Sequence, residues 1–395
     1  MAESTLGRRK CTHQDWFNEN STTINDLLTK KNKAFKEWQD DPSSTCKTDR
    51  YKSYQALAQR EIHIIRDTSW NKKADEVQHY AATNDTKQFF NAIKLTEDDF
   101  IKLFKKVQNC GWVKNSTEHR MIRSQLQKCC NASKNFIITQ LNTPLGTKIG
   151  YAIGSKNKFT ITKDVFDLIP KTDPFKDHKL KYCSVVGNAG VLINSSCGAE
   201  INQADFVFRS NIPPIKNYKD DVGTKTDMVT LNPSILRNRF QHLDSRRKPF
   251  MDHISIYENA LILLPAFSYP SDSSISFKVS FTLQDFGAKQ QAIFLSPTYL
   301  KSLTQFWKDQ GISEMCLSTG LIVLSAALEM CEEVWVYGFW PFSKDVDGNQ
   351  LFHHYYDNMM PKKVHSFSNE FYKLLLLHMK GVVKVQAGQC GKSSV

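Results

Sequence analysis

KYCSVVGNAG, residues 181–190, is the stretch whose reading decides the fold. Cys183 to Val186 has the apolar run of a buried strand, and the run ends in Gly187-Asn188-Ala189-Gly190. Glycine directly after a strand lets the backbone approach a ligand, and successive N–H groups there can cradle phosphate or carboxylate. The turn is not a GxGxxG fingerprint, so an ordinary strand–turn–helix corner explains it as well. A dinucleotide site of the dehydrogenase type is disfavoured, because no acidic residue ends a second strand about twenty residues further on to hold a ribose. Downstream, similar runs recur in DFVFRSN (205–211), DMVTL (227–231), ALILLPAF (260–267), AIFLS (292–296) and EVWVYGF (333–339). Short apolar runs alternating with amphipathic helical segments predict an α/β fold with a mainly parallel sheet.

Upstream the character changes. Residues 8–94 are polar, rich in Lys and Asp and nearly free of glycine, with helical periodicity around Trp38–Ala58 and Ala74–Ile93. This predicts a helical polar extension over 1–94 and a second domain over 95–395. The chain's net charge of +12 favours an anionic ligand or partner without naming one. Little of that charge lies before Leu95, which argues against a basic nucleic-acid-binding tail.

The ten cysteines contain no CxxC pair, so zinc ribbons and thioredoxin-like chemistry are disfavoured. An even number at wide spacing suits structural disulfides and an oxidising compartment. Asn-x-Ser/Thr sequons at Asn20, Asn84, Asn115, Asn131 and Asn194 are compatible with that. Against it, nothing near Met1 reads as a signal peptide or an apolar anchor.

Three further stretches could carry chemistry. Leu317-Ser318-Thr319-Gly320 precedes LIVLSAALEM, so Ser318 or Thr319 can cap a helix whose positive end would suit a nucleotide phosphate. An ordinary capped core helix is the other reading. Asp345-Val346-Asp347 has the DxD form of a metal site but sits in KDVDGNQ, a turn composition, and reads as a solvated turn. HHYYDNMMPKKVHSFSNE, residues 353–370, holds His353, His354 and His365. Adjacent histidines point in different directions, so acid/base chemistry suits them better than a metal, and surface histidines remain an alternative.

Taken in order, these pieces resemble the four sialylmotifs of animal sialyltransferases. CSVVGNAGVLINSSCGAEINQADFVFRSNIPP through KDDVGTKTDMVTLNPS resembles the large motif. LSTGLIVLSAALEMCEEVWVYGFWPFS resembles the small one, HYYD at His354–Asp357 the third, and His365-x4-Glu370 the very small one. GFWPFS, HHYYDN, NPSI and LPAFS resemble the α2,8 group. NTPLGT and LHMKG lean toward its type VI kind, which acts on sialylated O-glycans, with the ganglioside-acting kinds close by. Gln284 to Met315 has only scattered lysines, unlike the basic stretch of the polysialic acid synthases.

The resemblance implies a modified Rossmann-type, GT-A-like domain with a parallel-rich seven-stranded sheet. It implies CMP-sialic acid as donor, a sialylated glycoprotein or glycolipid as acceptor, inversion at the anomeric centre, no metal or other cofactor, and a Golgi location. Carried over by position, Asn188 and Asn211 would bind the donor nucleotide and phosphate, and Ser318, Thr319 and Gly320 would form the capped-helix phosphate site. Trp340 would line the donor pocket and His353 would touch the donor. His354 would stabilise or protonate the departing CMP phosphate, and His365 would be the general base. Glu370 would support that loop.

By the same resemblance Cys183 pairs with Cys331 and Cys197 with Cys390, while Cys110 could bridge to Cys129 or Cys130. Two departures stand out: Cys316 replaces a common basic residue before LSTG and would remain a thiol, and Ser210 replaces a common cysteine. Separately, RRKCTHQDWFNENSTTINDLLTKKNKAFKEWQDDPSS and ADEVQHYAATNDTKQFFNAIK resemble the linker of LINE-type retroelements. No nuclease or polymerase motif accompanies them, and no nucleic-acid partner is expected. A catalytically silent, non-secreted sialyltransferase-like fusion is the competing reading.

Overall fold

The computed structural model describes residues 17, 19–82, 97–109, 111–154, 156–175, 180–312, 316–358 and 367–391. The chain forms two compact units, Met1–Lys94 and Leu95–Val395. In the first, helices Ser21–Asp40 and Thr45–Ala82 are separated by Asp41-Pro42-Ser43-Ser44. Pro42 cannot continue the first helix and restricts the residue before it. The two helices meet through Phe35, Trp38 and Tyr51, with ring centroids 5.2 Å apart for Phe35–Tyr51 and 5.6 Å for Trp38–Tyr51. Among the described residues no helix is long and apolar enough to cross a membrane.

The second unit is an α/β domain. A small antiparallel hairpin of β1 (Lys148–Gly150) and β2 (Lys158–Thr160) lies outside the main sheet. The main sheet contains β3 (Leu180–Val186), β4 (Phe206–Arg209), β5 (Met228–Thr230), β6 (Leu261–Leu264), β7 (Gln291–Phe294), β8 (Cys331–Tyr337) and β9 (Lys384–Gln386). Its order is β7-β6-β5-β4-β3-β8-β9, and every neighbouring pair is parallel. Helices on both faces account for the near-continuous apolar runs, as in β4 and β5, where every residue is buried.

From β3 the sheet grows outward to β7, then the chain returns to place β8 on the other side of β3. That reversal makes the carboxyl ends of β3 and β8 a topological switch point, where open α/β sheets leave a crevice. The helix Thr319–Met330 is buried along most of its length and runs directly into β8. It delivers its N-terminal end to the LSTG loop.

Disulfides join Cys183 in β3 to Cys331 at the start of β8, and Cys197 to Cys390 near the C-terminus. The first closes a separation of 148 residues. In the chain-entropy account a loop of that size is worth about 5 kcal/mol. A third disulfide joins the neighbours Cys129 and Cys130. This corrects the expected bridge from Cys110, since both candidate partners are taken by each other; Cys110 itself lies outside the described residues. Cys316 is in none of the three bridges.

Candidate active site

At the end of β3 the GNAG turn is held tightly against the end of β8. The Gly187 N–H donates to the Tyr337 carbonyl at 2.7 Å, and the Ala189 N–H donates to the Gly338 carbonyl at 3.1 Å. A Cβ on Gly187 would overlap the Gly338 carbonyl oxygen and come within 3.0 Å of the Phe339 ring. Glycine is therefore required here for a strand-to-strand joint. The N–H groups of Gly187 and Ala189 both serve that joint.

The polar group the turn presents is the Asn188 side chain. Its Nδ2 donates to the Ser210 carbonyl at 2.8 Å, while its buried Oδ1 has no hydrogen-bond partner among the described residues. Ser210 belongs to the Arg209-Ser210-Asn211 corner after β4, so this bond brings Asn188 beside Asn211. Asn211 is left-handed, with φ 64°, and Ile212 follows at φ 39°. Asparagine tolerates that region, but a β-branched residue there is strained. Thr230 at the end of β5 holds the corner: its Oγ1 accepts from the Asn211 N–H at 2.9 Å and its carbonyl from the Ile212 N–H at 3.1 Å.

Ser318 caps the helix Thr319–Met330 as expected from its type, its Oγ accepting from the Leu321 N–H at 3.1 Å. The Ser318 N–H in turn donates to the buried carboxylate of Glu370 at 2.7 Å. Thr319 Oγ1 lies 3.3 Å from Asn232 Oδ1, which ties this end of the helix to the loop after β5. A Cβ on Gly320 would come within 2.7 Å of the Phe339 ring. Phe339 thus packs against both Gly187 and Gly320, and it is the aromatic residue between the two glycine turns.

Trp340, expected to line a donor pocket, sits in an aromatic cluster. It is 5% exposed, its ring contacts Phe104, Phe342 and Phe371, and its indole N–H donates to the Lys344 carbonyl at 2.7 Å. Little of its surface remains for a ligand.

The histidine loop joins the GNAG turn directly. Ala189 and His354 form an antiparallel bridge, and the Tyr355 N–H donates to the Asn188 carbonyl at 2.9 Å. His354 Nδ1 lies 2.8 Å from Asp357 Oδ1, and Tyr356 stacks on its ring with centroids 5.1 Å apart. An Nδ1–H donated to the carboxylate leaves Nε2 for a ligand. His353 lies with its ring 4.4 Å from that of His354. Burial, then the neighbouring His354, pulls the His353 imidazole below its ordinary range. His365 lies in 359–366, outside the described residues. Asp345 accepts from the N–H groups of Asp347 and Asn349 and from the Asn349 side chain, the arrangement of a closed turn.

Asn188, Asn211, Ser318, Thr319, Gly320, His353 and His354 are thus connected, through single hydrogen bonds or ring contacts, into groups around the carboxyl ends of β3, β4, β5 and β8. Phe339, Asn232 and Asp357 belong with them and were not singled out from sequence. Asp357 was visible as the last residue of HYYD; Phe339 and Asn232 gave no chemical signal of their own. Cys316, beside the cap, has its Sγ 3.0 Å from the Tyr269 hydroxyl, and burial followed by Cys316 pushes that phenol up to about 12.

Residues 126–382 match glycosyltransferase family 29 (sialyltransferase). The mouse alpha-2,8-sialyltransferase 8F is 41% identical over 329 residues, covering 82% of this chain and 81% of its own. The human alpha-2,8-sialyltransferase 8E is 42% identical over 296 residues, covering 74% of this chain and 79% of its own. An alpha-N-acetylneuraminide alpha-2,8-sialyltransferase of Xenopus tropicalis is 45% identical over 284 residues, 71% of this chain and 82% of its own. A crystal structure of a mammalian sialyltransferase has a TM-score of 0.43 at 24% identity, covering 57% of this chain and 78% of that one. The chain belongs to glycosyltransferase family 29, and is a glycosyltransferase of the sialyltransferase kind.

Proposed function

We propose that this chain is an α2,8-sialyltransferase that moves sialic acid from CMP-sialic acid to a terminal sialic acid on glycoprotein O-glycans or gangliosides, with inversion and without a metal. The observation that carries this reading is the attachment of the His354–Asp357 loop to the GNAG turn, through the Ala189–His354 bridge and the Tyr355–Asn188 hydrogen bond. It sets an imidazole, oriented by a carboxylate, beside the residue most suited to hold the donor.

In this reading Asn188 and Asn211 hold the nucleotide and its phosphate, with Asn188 Oδ1 accepting from the ligand. The first-turn N–H groups at Thr319 and Gly320, behind the Ser318 cap, meet the phosphate at the positive end of the helix. His353, half-buried and with its imidazole held below the ordinary range by burial and His354, touches the donor. An acceptor hydroxyl oxygen attacks the anomeric carbon as the bond to the CMP phosphate oxygen breaks, and CMP leaves with the electron pair. His354, its Nδ1–H held by Asp357, stabilises or protonates the departing phosphate through Nε2. His365 takes the acceptor proton. Glu370 ties the first turn of the helix Phe367–Met379 to the Ser318 loop.

Residues 95–395 are the catalytic domain in this reading, and 1–94 a helical extension of stem or retroelement-linker origin. The family implies work in the Golgi. The test is incubation of the chain with labelled CMP-sialic acid and a sialylated acceptor. Label should appear on the acceptor with wild type and be lost with His365→Ala. No transfer by wild type would defeat the reading, and transfer retained in His365→Ala would defeat the base assignment alone.

A further inference from the structure

Asn211 is followed by three backbone carbonyls that are each gripped by a different side chain. Ile212 O accepts from His253 Nε2 at 2.9 Å, Pro213 O from the Tyr257 hydroxyl, and Pro214 O from the Tyr355 hydroxyl at 2.8 Å. The corner that carries Asn211 is therefore tied on one side to the histidine loop and on the other to His253.

Behind His253 stands Arg239. Burial above all holds the His253 imidazole below its ordinary range, so it is neutral and carries one ring proton. That proton is committed to Ile212 O, which leaves the Nδ1 lone pair facing Arg239 Nη2 at 3.4 Å. One edge of the guanidinium is thereby oriented and its central carbon lies 5.4 Å from the centre of the Phe240 ring, while the residue as a whole is exposed. Burial first, then Asp357, pushes the phenol of Tyr356, the ring stacked on His354, up to about 12, and the charge of Arg239 opposes this.

Several cations of the neighbouring segments carry acidic partners. Arg237 is paired with Asp272, Arg247 with Asp285 and Lys248 with Asp252. Among the described residues no carboxylate lies within ion-pairing distance of Arg239. An arginine aimed by a neutral histidine, and unpaired with acid among the described residues, is suited to a planar anion brought by a ligand. In the reading proposed above, on which this rests, the acceptor's terminal sugar carries such a group, a carboxylate close to the attacking hydroxyl.

We infer that Arg239, positioned by His253, is the site that recognises the carboxylate of the acceptor's terminal sialic acid. It would select sialylated over neutral glycans and set the acceptor hydroxyl toward the reacting loop. A second carboxylate contact from the donor is not required.

The test is binding, so that it does not depend on turnover. The full chain, saturated with CMP, is titrated with α2,3-sialylated lactose and with the methyl ester of the same sugar, for wild type, Arg239→Gln and Arg239→Lys. Wild type should bind the free acid about tenfold more tightly than the ester, the equivalent of ~1.4 kcal/mol. Arg239→Gln should bind both alike, at the ester's affinity, and Arg239→Lys should retain part of the preference. Equal binding of the two sugars by wild type, or an undiminished preference in Arg239→Gln, would overturn the inference. A preference lost on substitution, in a protein that transfers no sialic acid, would count against the transferase reading while leaving the carboxylate site standing.

Discussion

Replacing Gly187 by alanine tests the joint on which the site is built. Gly187 does not need a left-handed φ, so the effect is purely steric. The new methyl would overlap the Gly338 carbonyl oxygen and lie 3.0 Å from both the Gly338 carbonyl carbon and Phe339 Cδ2. Two of these obstacles are backbone, which cannot rotate aside. Overpacking of this kind costs about 1–3 kcal/mol. Relief requires the ends of β3 and β8 to part, which weakens the Gly187–Tyr337 and Ala189–Gly338 hydrogen bonds at about 1 kcal/mol each. A loss of about 2–4 kcal/mol is expected, since complete overpacking and complete bond loss do not occur together. Urea unfolding would show it as a midpoint lower by roughly 1 M. Because Asn188 and His354 hang from the same turn, the KM for CMP-sialic acid should rise as well. Unfolding within 0.5 kcal/mol of wild type, with an unchanged donor KM, would refute the claim that close approach of these two loops organises the site.

Other consequences follow from single contacts. Asp357→Asn keeps the shape of the loop but removes the carboxylate that orients His354, and kcat should fall by about 10- to 100-fold with little change in acceptor KM. Glu370→Ala leaves the Ser318 N–H without this carboxylate and should cost at least ~1.5 kcal/mol in unfolding free energy, with Glu370→Gln recovering part of it. Burial holds His119 and His378 down to about 4. Between their ordinary range and about 4 the unfolded chain binds more protons, so each should cost up to ~3 kcal/mol of stability as the pH falls. Glu329, raised to about 7 by burial, works in the opposite sense over much of the same range. His378→Gln, which can still accept at the site where the Val385 N–H now donates, should therefore flatten the acid limb of the stability curve measured between pH 7 and 4.

The strands were legible because a doubly covered parallel sheet is built mainly of apolar residues, as the runs around Val185, Val207, Val229 and Ile262 show, with Ser184, Arg209 and Thr230 buried among them. The cap at Ser318 was legible for a local reason, since it needs only a hydroxyl one residue before an apolar helix. What could not be read is set by long-range contact. Trp340 lies in a motif whose resemblance pointed to a ligand, but Phe104 and Phe371, far away in sequence, close over it. The Asn188–Ser210 bond, the Glu370–Ser318 bond and the Arg239–His253 contact likewise join residues from separate segments. Cys129 and Cys130 illustrate the reverse case, where a distant partner was expected and the nearest neighbour is the one bonded.

The central claim, that a carboxylate-oriented His354 beside Asn188 serves transfer onto sialic acid, is most directly tested by the linkage of the product. Wild type, His354→Ala and Asp357→Asn would be incubated with CMP-sialic acid and a singly sialylated acceptor, and the linkage of any new sugar determined by NMR. The account predicts a new α2,8 bond to the terminal sialic acid in wild type, made far more slowly by both variants. Transfer to galactose or N-acetylgalactosamine instead, or full rates in His354→Ala, would contradict it.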